Sequence, residues 1–286
     1  EMIGDAGIRI RGRAISNNEF SSKSGAENVT ITQNYLHQIA QSVYCAPALY
    51  MASCKDVEIA NNTVIGTSYS AMSIGWSWSA ATWEEHEKYN LYNVDIHHNY
   101  VTDFMQELGD GGAIYVLGGN LKPDNPKQIN FIHHNFVVFD KYTGNGLGGQ
   151  SDGYYFDGSS TNWSNYNNIC VNYSAGADRG KLAGASDEDY HQYMSMKGSN
   201  LMFKQNHPQA ISYNIHSWNN YFYNVRAKTA AEQQSEVYHL HPQWKQHGHT
   251  ISDCSYFTGD NKLSFSNSIK TLIEECGSRM RPGEWE

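Results

Sequence analysis

The sequence predicts an all-β fold built as a parallel solenoid, because two strand patterns alternate along it and an asparagine recurs in one of them. The first pattern alternates apolar residues up to that asparagine, as in Val29-Thr-Ile31-Thr-Gln-Asn34 and Val94-Asp-Ile96-His-His-Asn99. Alternation of this kind is a strand signal. The recurring asparagines are Asn34, Asn62, Asn99, Asn135, Asn168 and Asn220. Stacked repeats would join them in a ladder in which each amide hydrogen bonds the next.

The second pattern lies between the copies of the first. It consists of short apolar runs at Ile8-Arg-Ile10, Leu49-Tyr-Met51, Met72-Ser-Ile74, Ile114-Tyr-Val116, Tyr154-Tyr-Phe156 and Met194-Ser-Met196. Two interleaved patterns with connections of unequal length favour a solenoid over a propeller, because a propeller needs four strands in each regular blade. We therefore predict a single domain over residues 1–286, with repeats stacked about 4.8 Å apart.

The two ends of the chain differ from the repeats. Residues 266–276 carry apolar side chains at helical spacing and stop before Gly277, a common residue after a helix. We predict a short C-terminal helix there, either covering the last repeat or packing along the side. No cap precedes the first predicted strand near Ile8, which predicts that the domain is part of a longer chain.

The composition and net charge of the chain limit the kinds of partner that it is expected to bind. The 286 residues include 20 Lys and Arg against 29 Asp and Glu, a formal net charge of −9. This balance argues against a nucleic-acid partner, whose phosphates require a basic face. No run approaches the ~18 apolar residues of a membrane span. The pairs His97-His98 and His133-His134 lack a carboxylate at ligand spacing, so we predict no metal site there.

The second pattern also predicts a ligand-binding face, because the residue between two inward-pointing apolar residues points outward. The outward column is predicted to run Arg9, Tyr50, Ser73, Tyr115, Tyr155 and Ser195. A second column two residues on would run Arg11, Ala52, Gly75, Leu117, Asp157 and Lys197. Solenoids bind extended ligands along such a face, and flat indole rings suit sugars. The predicted substrate-binding residues are Trp76, Trp78, Tyr115, Tyr155, Asp152 and Lys197.

Carboxylates accompany this face. The segment 105–118, Met-Gln-Glu-Leu-Gly-Asp-Gly-Gly-Ala-Ile-Tyr-Val-Leu-Gly, places Glu107 and Asp110 just before a strand, and Asp157 follows the corresponding strand of the next repeat. If the repeats align, Asp110 and Asp157 lie within ~5–10 Å, the range of glycosidase carboxyl pairs. The charge of one would raise the pKa of the other and favour a proton-donating acid. We predict Asp110, Asp157 and Glu107 as catalytic residues.

At these motifs the sequence resembles a known group of proteins. The segment 105–118, Ile74-Gly-Trp-Ser-Trp78 and Tyr154-Tyr-Phe-Asp157-Gly-Ser-Ser160 are similar to signature segments of secreted bacterial right-handed parallel β-helix proteins, among them glycoside hydrolase family 141. The resemblance covers roughly residues 28–175. It implies a right-handed parallel β-helix, a secreted or periplasmic location and hydrolysis of plant or microbial glycans, of the fucosidase or xylanase type. It also implies Asp110 and Asp157 as the catalytic carboxylates.

Three functions stay open at this point. A glycoside hydrolase would need no cofactor and would use one carboxylate as acid and the other as nucleophile or base. A polysaccharide lyase on the same scaffold would need a base near a uronate, with Ca²⁺ or a cation such as Arg9 or Lys197 to neutralise the uronate. A non-catalytic glycan-binding solenoid would need only the tyrosine column. We favour the hydrolase.

Overall fold

In the computed structural model, the described part of the chain is built mainly of three parallel sheets of seven strands each. The residues that the structure describes are 3–10, 14–15, 19–20, 26–52, 54–75, 91–118, 129–139, 151–158, 160–172, 201–203, 212–223, 225, 229–240, 244–258 and 265–279. Within these ranges the remaining elements are two helices, a short 3₁₀ helix and one small antiparallel pair of strands. The all-β, parallel part of the prediction is confirmed.

The strands follow one another through the sheets in a fixed order. Sheet 1 contains, in hydrogen-bonded order, β1 (Ile8–Ile10), β6 (Leu49–Met51), β9 (Met72–Ile74), β12 (Gly111–Val116), β15 (Ser151–Phe156), β18 (Leu201–Phe203) and β21 (Tyr238–Leu240). Sheet 2 contains β4 (Ala26–Thr32), β7 (Cys54–Ala60), β10 (Leu91–His97), β13 (Asn130–His133), β16 (Thr161–Tyr166), β19 (Tyr213–Trp218) and β22 (Thr250–Ser252). Sheet 3 contains β5 (Tyr35–Ile39), β8 (Thr63–Thr67), β11 (Tyr100–Thr102), β14 (Phe136–Phe139), β17 (Ile169–Asn172), β20 (Tyr221–Tyr223) and β23 (Ser255–Phe257). One strand of sheet 2, then of sheet 3, then of sheet 1 makes up a repeat, and each repeat pairs with the next.

The remaining elements lie outside the three large sheets. The antiparallel pair is β2 (Ala14–Ile15) and β3 (Glu19–Phe20). The helices are α1 (Ala230–Val237), α2 (Asn267–Glu275) and the 3₁₀ helix Trp244–His247. No helix in the described ranges is long and apolar enough to cross a membrane.

The predicted asparagine ladder is confirmed. Each amide Nδ2 donates to the Oδ1 of the next ladder residue at 2.8–3.0 Å, from Asn34 through to Asn220. The residue before each ladder asparagine has a positive φ of 51–60°: Gln33, Asn61, His98, His134, Asn167 and Asn219. This left-handed residue turns the chain from sheet 2 into sheet 3, and the buried asparagine satisfies the backbone groups that the turn exposes.

The sixth strand of sheet 1 differs from the prediction. The strand that pairs with β15 is β18, so Met202 pairs with Tyr155 where the sequence pattern placed Ser195. Met194-Ser-Met196 and Leu201-Met202-Phe203 both place apolar residues on either side of a central residue, so the pattern does not distinguish between these neighbouring candidates. Residues 194–197, which include Ser195 and Lys197, lie outside the described residues.

The C-terminal helix is confirmed as α2, and it packs along the side of the sheets. Its N-cap is Ser266, and Ile269 and Leu272 pack with Val138, Ile169 and other apolar residues on the outer side of sheet 3. Burial of such a face is what stabilises a short helix, since nine residues are too few to be helical alone.

Candidate functional site

Three chain segments that lead from sheet 3 into sheet 1 stack on one another. We call them corner 1 (residues 40–48), corner 2 (68–71) and corner 3 (103–110). The Ser68 hydroxyl donates to the Ala40 carbonyl at 3.0 Å, and the Glu107 N–H donates to the Ser68 carbonyl at 3.0 Å. These bonds fix successive corners in register at the edge of sheet 1.

Corner 3 ends at Asp110, which is exposed and has a φ of 60°. The two glycines that follow bring the backbone close to its neighbours. A Cβ on Gly111 would overlap the Ser70 hydroxyl, and the Gly112 N–H donates to that same hydroxyl at 3.2 Å. The glycines therefore let corner 2 approach corner 3 closely.

Tyr115 and Tyr155 connect the two predicted catalytic carboxylates. They pair on the adjacent strands β12 and β15, and their rings meet edge to face with centroids 4.9 Å apart. The Tyr155 hydroxyl donates to Asp110 Oδ1 at 2.9 Å, whereas the Tyr115 hydroxyl donates to Asp157 Oδ2 at 2.6 Å. Asp110 lies just before the strand of Tyr115 but accepts from Tyr155, and Asp157 lies just after the strand of Tyr155 but accepts from Tyr115. The two hydrogen bonds therefore cross between neighbouring repeats.

Asp157 is held at several points directly after β15. Its side chain is half-buried, and its Oδ1 accepts the Gly158 N–H at 2.8 Å in addition to the bond from Tyr115. Its backbone carbonyl accepts the Ser212 hydroxyl at 3.0 Å. Both carboxylate oxygens therefore accept hydrogen bonds, which favours the ionised form.

A third tyrosine, Tyr69 in corner 2, belongs to the same group. Its hydroxyl donates to the Asp110 carbonyl at 2.7 Å. Burial, followed by the negative charges of Asp110 and Asp157, raises the pKa of Tyr69 above its usual range, and the same causes raise the pKa values of Tyr115 and Tyr155. All three hydroxyls therefore stay protonated and act as donors. Because the charges of both aspartates affect the pKa of each tyrosine, the two carboxylates lie around one cluster formed by the three tyrosines.

The tyrosine rings are less accessible than an outward column suggests. Tyr115 and Tyr155 are 2% and 0% exposed, and they pack with Leu117 in a small apolar cluster. Large rings at neighbouring positions cover one another, whereas the alternation rule gives only the direction of each side chain. Their hydroxyls, not their ring faces, contribute to the site.

The other predicted site residues fall in different places. Glu107 is exposed in corner 3, three residues before Asp110. Asp152 is fully buried. The pKa of the buried Cys170 thiol is raised first by its own burial and then by the charge of Asp152. The Asp152 carboxylate therefore lies toward the interior and is not on the ligand-binding face. Trp76, Trp78 and Lys197 lie outside the described residues.

Tyr69 was missed because no strand pattern includes it. Tyr69 lies three residues before Met72, the first residue of β9, and Asp110 lies four residues before Ile114, which pairs with Met72. Both side chains therefore lie at the same edge of sheet 1. Aligning the residues before each strand of the second pattern would have found it. In the described part of the chain, no group of three or more His, Cys, Asp or Glu side chains is arranged to hold a metal ion.

Comparisons with known proteins give little further information. No protein-family model and no curated protein matches the chain. Among solved structures, a chain described as a glycoside hydrolase superposes with a TM-score of 0.44 and 13% sequence identity, over 96% of this chain and 33% of that chain. This chain thus spans about a third of the length of that structure. A superposition this loose establishes neither a shared fold nor a shared activity.

Proposed function

We propose that this chain is a glycoside hydrolase built on a right-handed parallel β-helix, with Asp110 and Asp157 as its catalytic carboxylates. The fold proposal is supported by the cyclic order in which the chain visits the three sheets, one strand in each per repeat. Such an architecture presents residues of successive repeats side by side along an extended face.

The observation that carries the functional proposal is the pair of crossed hydrogen bonds between tyrosines and aspartates. Two carboxylates that are 47 positions apart in the sequence, at Asp110 and Asp157, face one cluster of protonated phenols. Both carboxylates reach solvent, since Asp110 is exposed and Asp157 is half-buried. A pair of acids around one accessible surface is what hydrolysis of a glycosidic bond requires.

We propose different roles for the two acids, one of which protonates the leaving oxygen while the other stays ionised. Asp157 accepts donors on both oxygens and is therefore suited to remain ionised, as the nucleophile or as the base that activates water. The buried tyrosines keep both carboxylates in place, and the reaction proposed needs no cofactor. The substrate proposed is a plant or microbial glycan, cleaved outside the cytoplasm by a fucosidase-type or xylanase-type activity.

The proposal is tested by measuring reducing-end release from fucosylated oligosaccharides, xylan and galactan. We expect the purified chain to cleave a member of this panel, and expect D110N and D157N each to lower kcat by about 10³-fold or more while circular dichroism is unchanged. Asp56 is a matched control, since it is exposed, has a φ of 54° and accepts one side-chain hydrogen bond, from Asn93 at 2.9 Å. D56N should retain full activity.

Three results would contradict the proposal. Near-full activity in both aspartate variants would remove their catalytic role. An unsaturated product that absorbs in the ultraviolet would identify a lyase instead. Binding of a glycan without any reducing-end release over long incubation would identify a non-catalytic binding protein.

A further inference from the structure

An exposed apolar patch lies at the start of the stacked corners. Tyr44, Val43 and Ile3 are 51%, 43% and 37% exposed, and they are three of the five most exposed large apolar residues in the described part of the chain. Exposure of one such residue is ordinary, whereas three that lie close together form a candidate surface for contact with a ligand.

The turn that carries Tyr44 is fixed on both sides. The N–H groups of Gln41 and Val43 donate to the carbonyls of Ile3 and Gly4 at 3.0 and 2.7 Å, and the Ala46 N–H donates back to the Val43 carbonyl at 2.9 Å. The aromatic ring is therefore presented on a backbone that is already ordered. Binding to it would cost little conformational entropy.

The patch is continuous with the candidate active site. Corner 1, which holds Tyr44, is bonded to corner 2, and corner 2 is bonded to corner 3, which ends at Asp110. The Cys45 thiol next to Tyr44 also lies close enough to the Tyr69 hydroxyl to affect its ionisation. Neighbouring repeats stack about 4.8 Å apart, so Tyr44 lies on the order of 10 Å from the level of Asp110.

We propose that Tyr44 binds a sugar ring of the substrate, about two repeats away from the bond that Asp110 and Asp157 cleave. The substrate is then an oligosaccharide or polysaccharide that lies along the stacked corners, and not a single sugar on a small leaving group. This inference rests on the proposed function. A tyrosine suits this ligand because one part of it is apolar and the other polar, and the exposed Gln41 and Ser42 side chains offer hydrogen bonds to hydroxyl groups.

A protein partner fits the patch less well. A stable protein interface takes about 20–30 residues from each side, whereas the described residues contribute three exposed large apolar side chains to this patch. A single sugar ring needs only one aromatic side chain and a few polar groups.

The first test measures binding without turnover. In a D157N background, we would titrate xylohexaose, a linear galactan hexasaccharide and a fucosylated pentasaccharide by calorimetry. Against the oligosaccharide that binds, Y44A should weaken the affinity by about three- to tenfold and Y44F should restore most of it, because the ring provides the contact. The control I129A removes a side chain of similar exposure that lies before β13 in sheet 2 and should bind as the parent does.

The second test locates the ligand through a neighbouring thiol. Cys45 is exposed, whereas Cys54, Cys170 and Cys276 are buried. A saturating concentration of the bound oligosaccharide should slow alkylation of Cys45 by iodoacetamide at least threefold, measured by mass spectrometry. Y44A should need an about three- to tenfold higher concentration for the same protection.

The outcomes separate this inference from the proposed function. Unchanged affinity in Y44A, unprotected Cys45, or no binding to any member of the panel would overturn the inference. If D157N abolishes hydrolysis while Y44A binds normally, only the inference fails. If Tyr44-dependent binding occurs in a chain that cleaves nothing, only the proposed hydrolysis fails.

Discussion

Tyr115 and Tyr155 lie opposite each other on adjacent strands, yet their hydroxyls donate to different aspartates. The ring of each is buried, so its position is set by packing and its hydroxyl has little freedom. The two carboxylates are therefore aligned by the same two rings. Loss of one hydroxyl should move one carboxylate without unfolding the protein, which makes these residues positioning residues.

We expect Y115F to lower kcat by about 10-fold or more with little change in KM, because Asp157 loses one of its hydrogen bonds and its fixed orientation. The same loss removes a donor that favours the ionised carboxylate, so the acidic limb of the pH–rate profile should move to higher pH. The stability cost should be about 1 kcal/mol. An unshifted acidic limb with reduced activity would indicate a purely structural role.

Stability should decrease as the pH falls from about 6.5 to 4. Burial lowers the pKa of His98, and burial followed by the charge of His133 lowers the pKa of His134 to about 4. In this range the unfolded chain binds protons that the folded chain does not, so acid favours unfolding. Urea titrations at pH 7 and pH 5 would measure the loss.

Asparagine provides a matched replacement for this test. Asn61, Asn167 and Asn219 occupy the equivalent left-handed position in other repeats. We therefore expect H98N and H134N to fold normally and to reduce the difference in unfolding free energy between pH 7 and pH 5. A pH dependence as large as that of the parent would contradict this assignment.

Interruption of the asparagine ladder should be costly. Asn99 is fully buried, donates to the Asn135 amide and two backbone carbonyls, and accepts from Asn62. N99A leaves several of these groups unsatisfied, so we expect it to destabilise the fold by roughly 3 kcal/mol or more. Denaturant unfolding would measure this. The exposed Asn93, with one side-chain bond to Asp56, is the control, and N93A should cost less than about 1 kcal/mol.

Removal of apolar contact from α2 should detach the helix from sheet 3. Leu272 is buried against the outer side of that sheet. We expect L272A to cost about 2–3 kcal/mol and to increase hydrogen exchange at the amides of α2. The exposed neighbour Lys270 should tolerate alanine. Equal effects of the two substitutions would contradict the proposed packing.

The sequence predicted the parts of the fold that depend on periodic side chains. The ladder asparagines, most strands and α2 follow from alternation, helical spacing and a repeated amide, all of which are local. It did not predict the burial of Tyr115 and Tyr155 or the inward position of Asp152, because these depend on how neighbouring repeats cover one another. The sequence also did not predict that β18 takes the place expected for Met194–Met196, since both short apolar runs fit the same local pattern.

The backbone after α2 connects repeats that are far apart in the sequence. The Gly277 N–H donates to the His98 carbonyl at 2.7 Å, the Ser278 N–H to the Thr63 hydroxyl at 2.9 Å, and the Arg279 N–H to the Gln33 side chain at 2.9 Å. An array held together by nearest neighbours alone can fray from its first unit. Here loss of the repeats that hold Gln33 and Thr63 would also release residues 277–279, so the described repeats are expected to melt as a single cooperative unit.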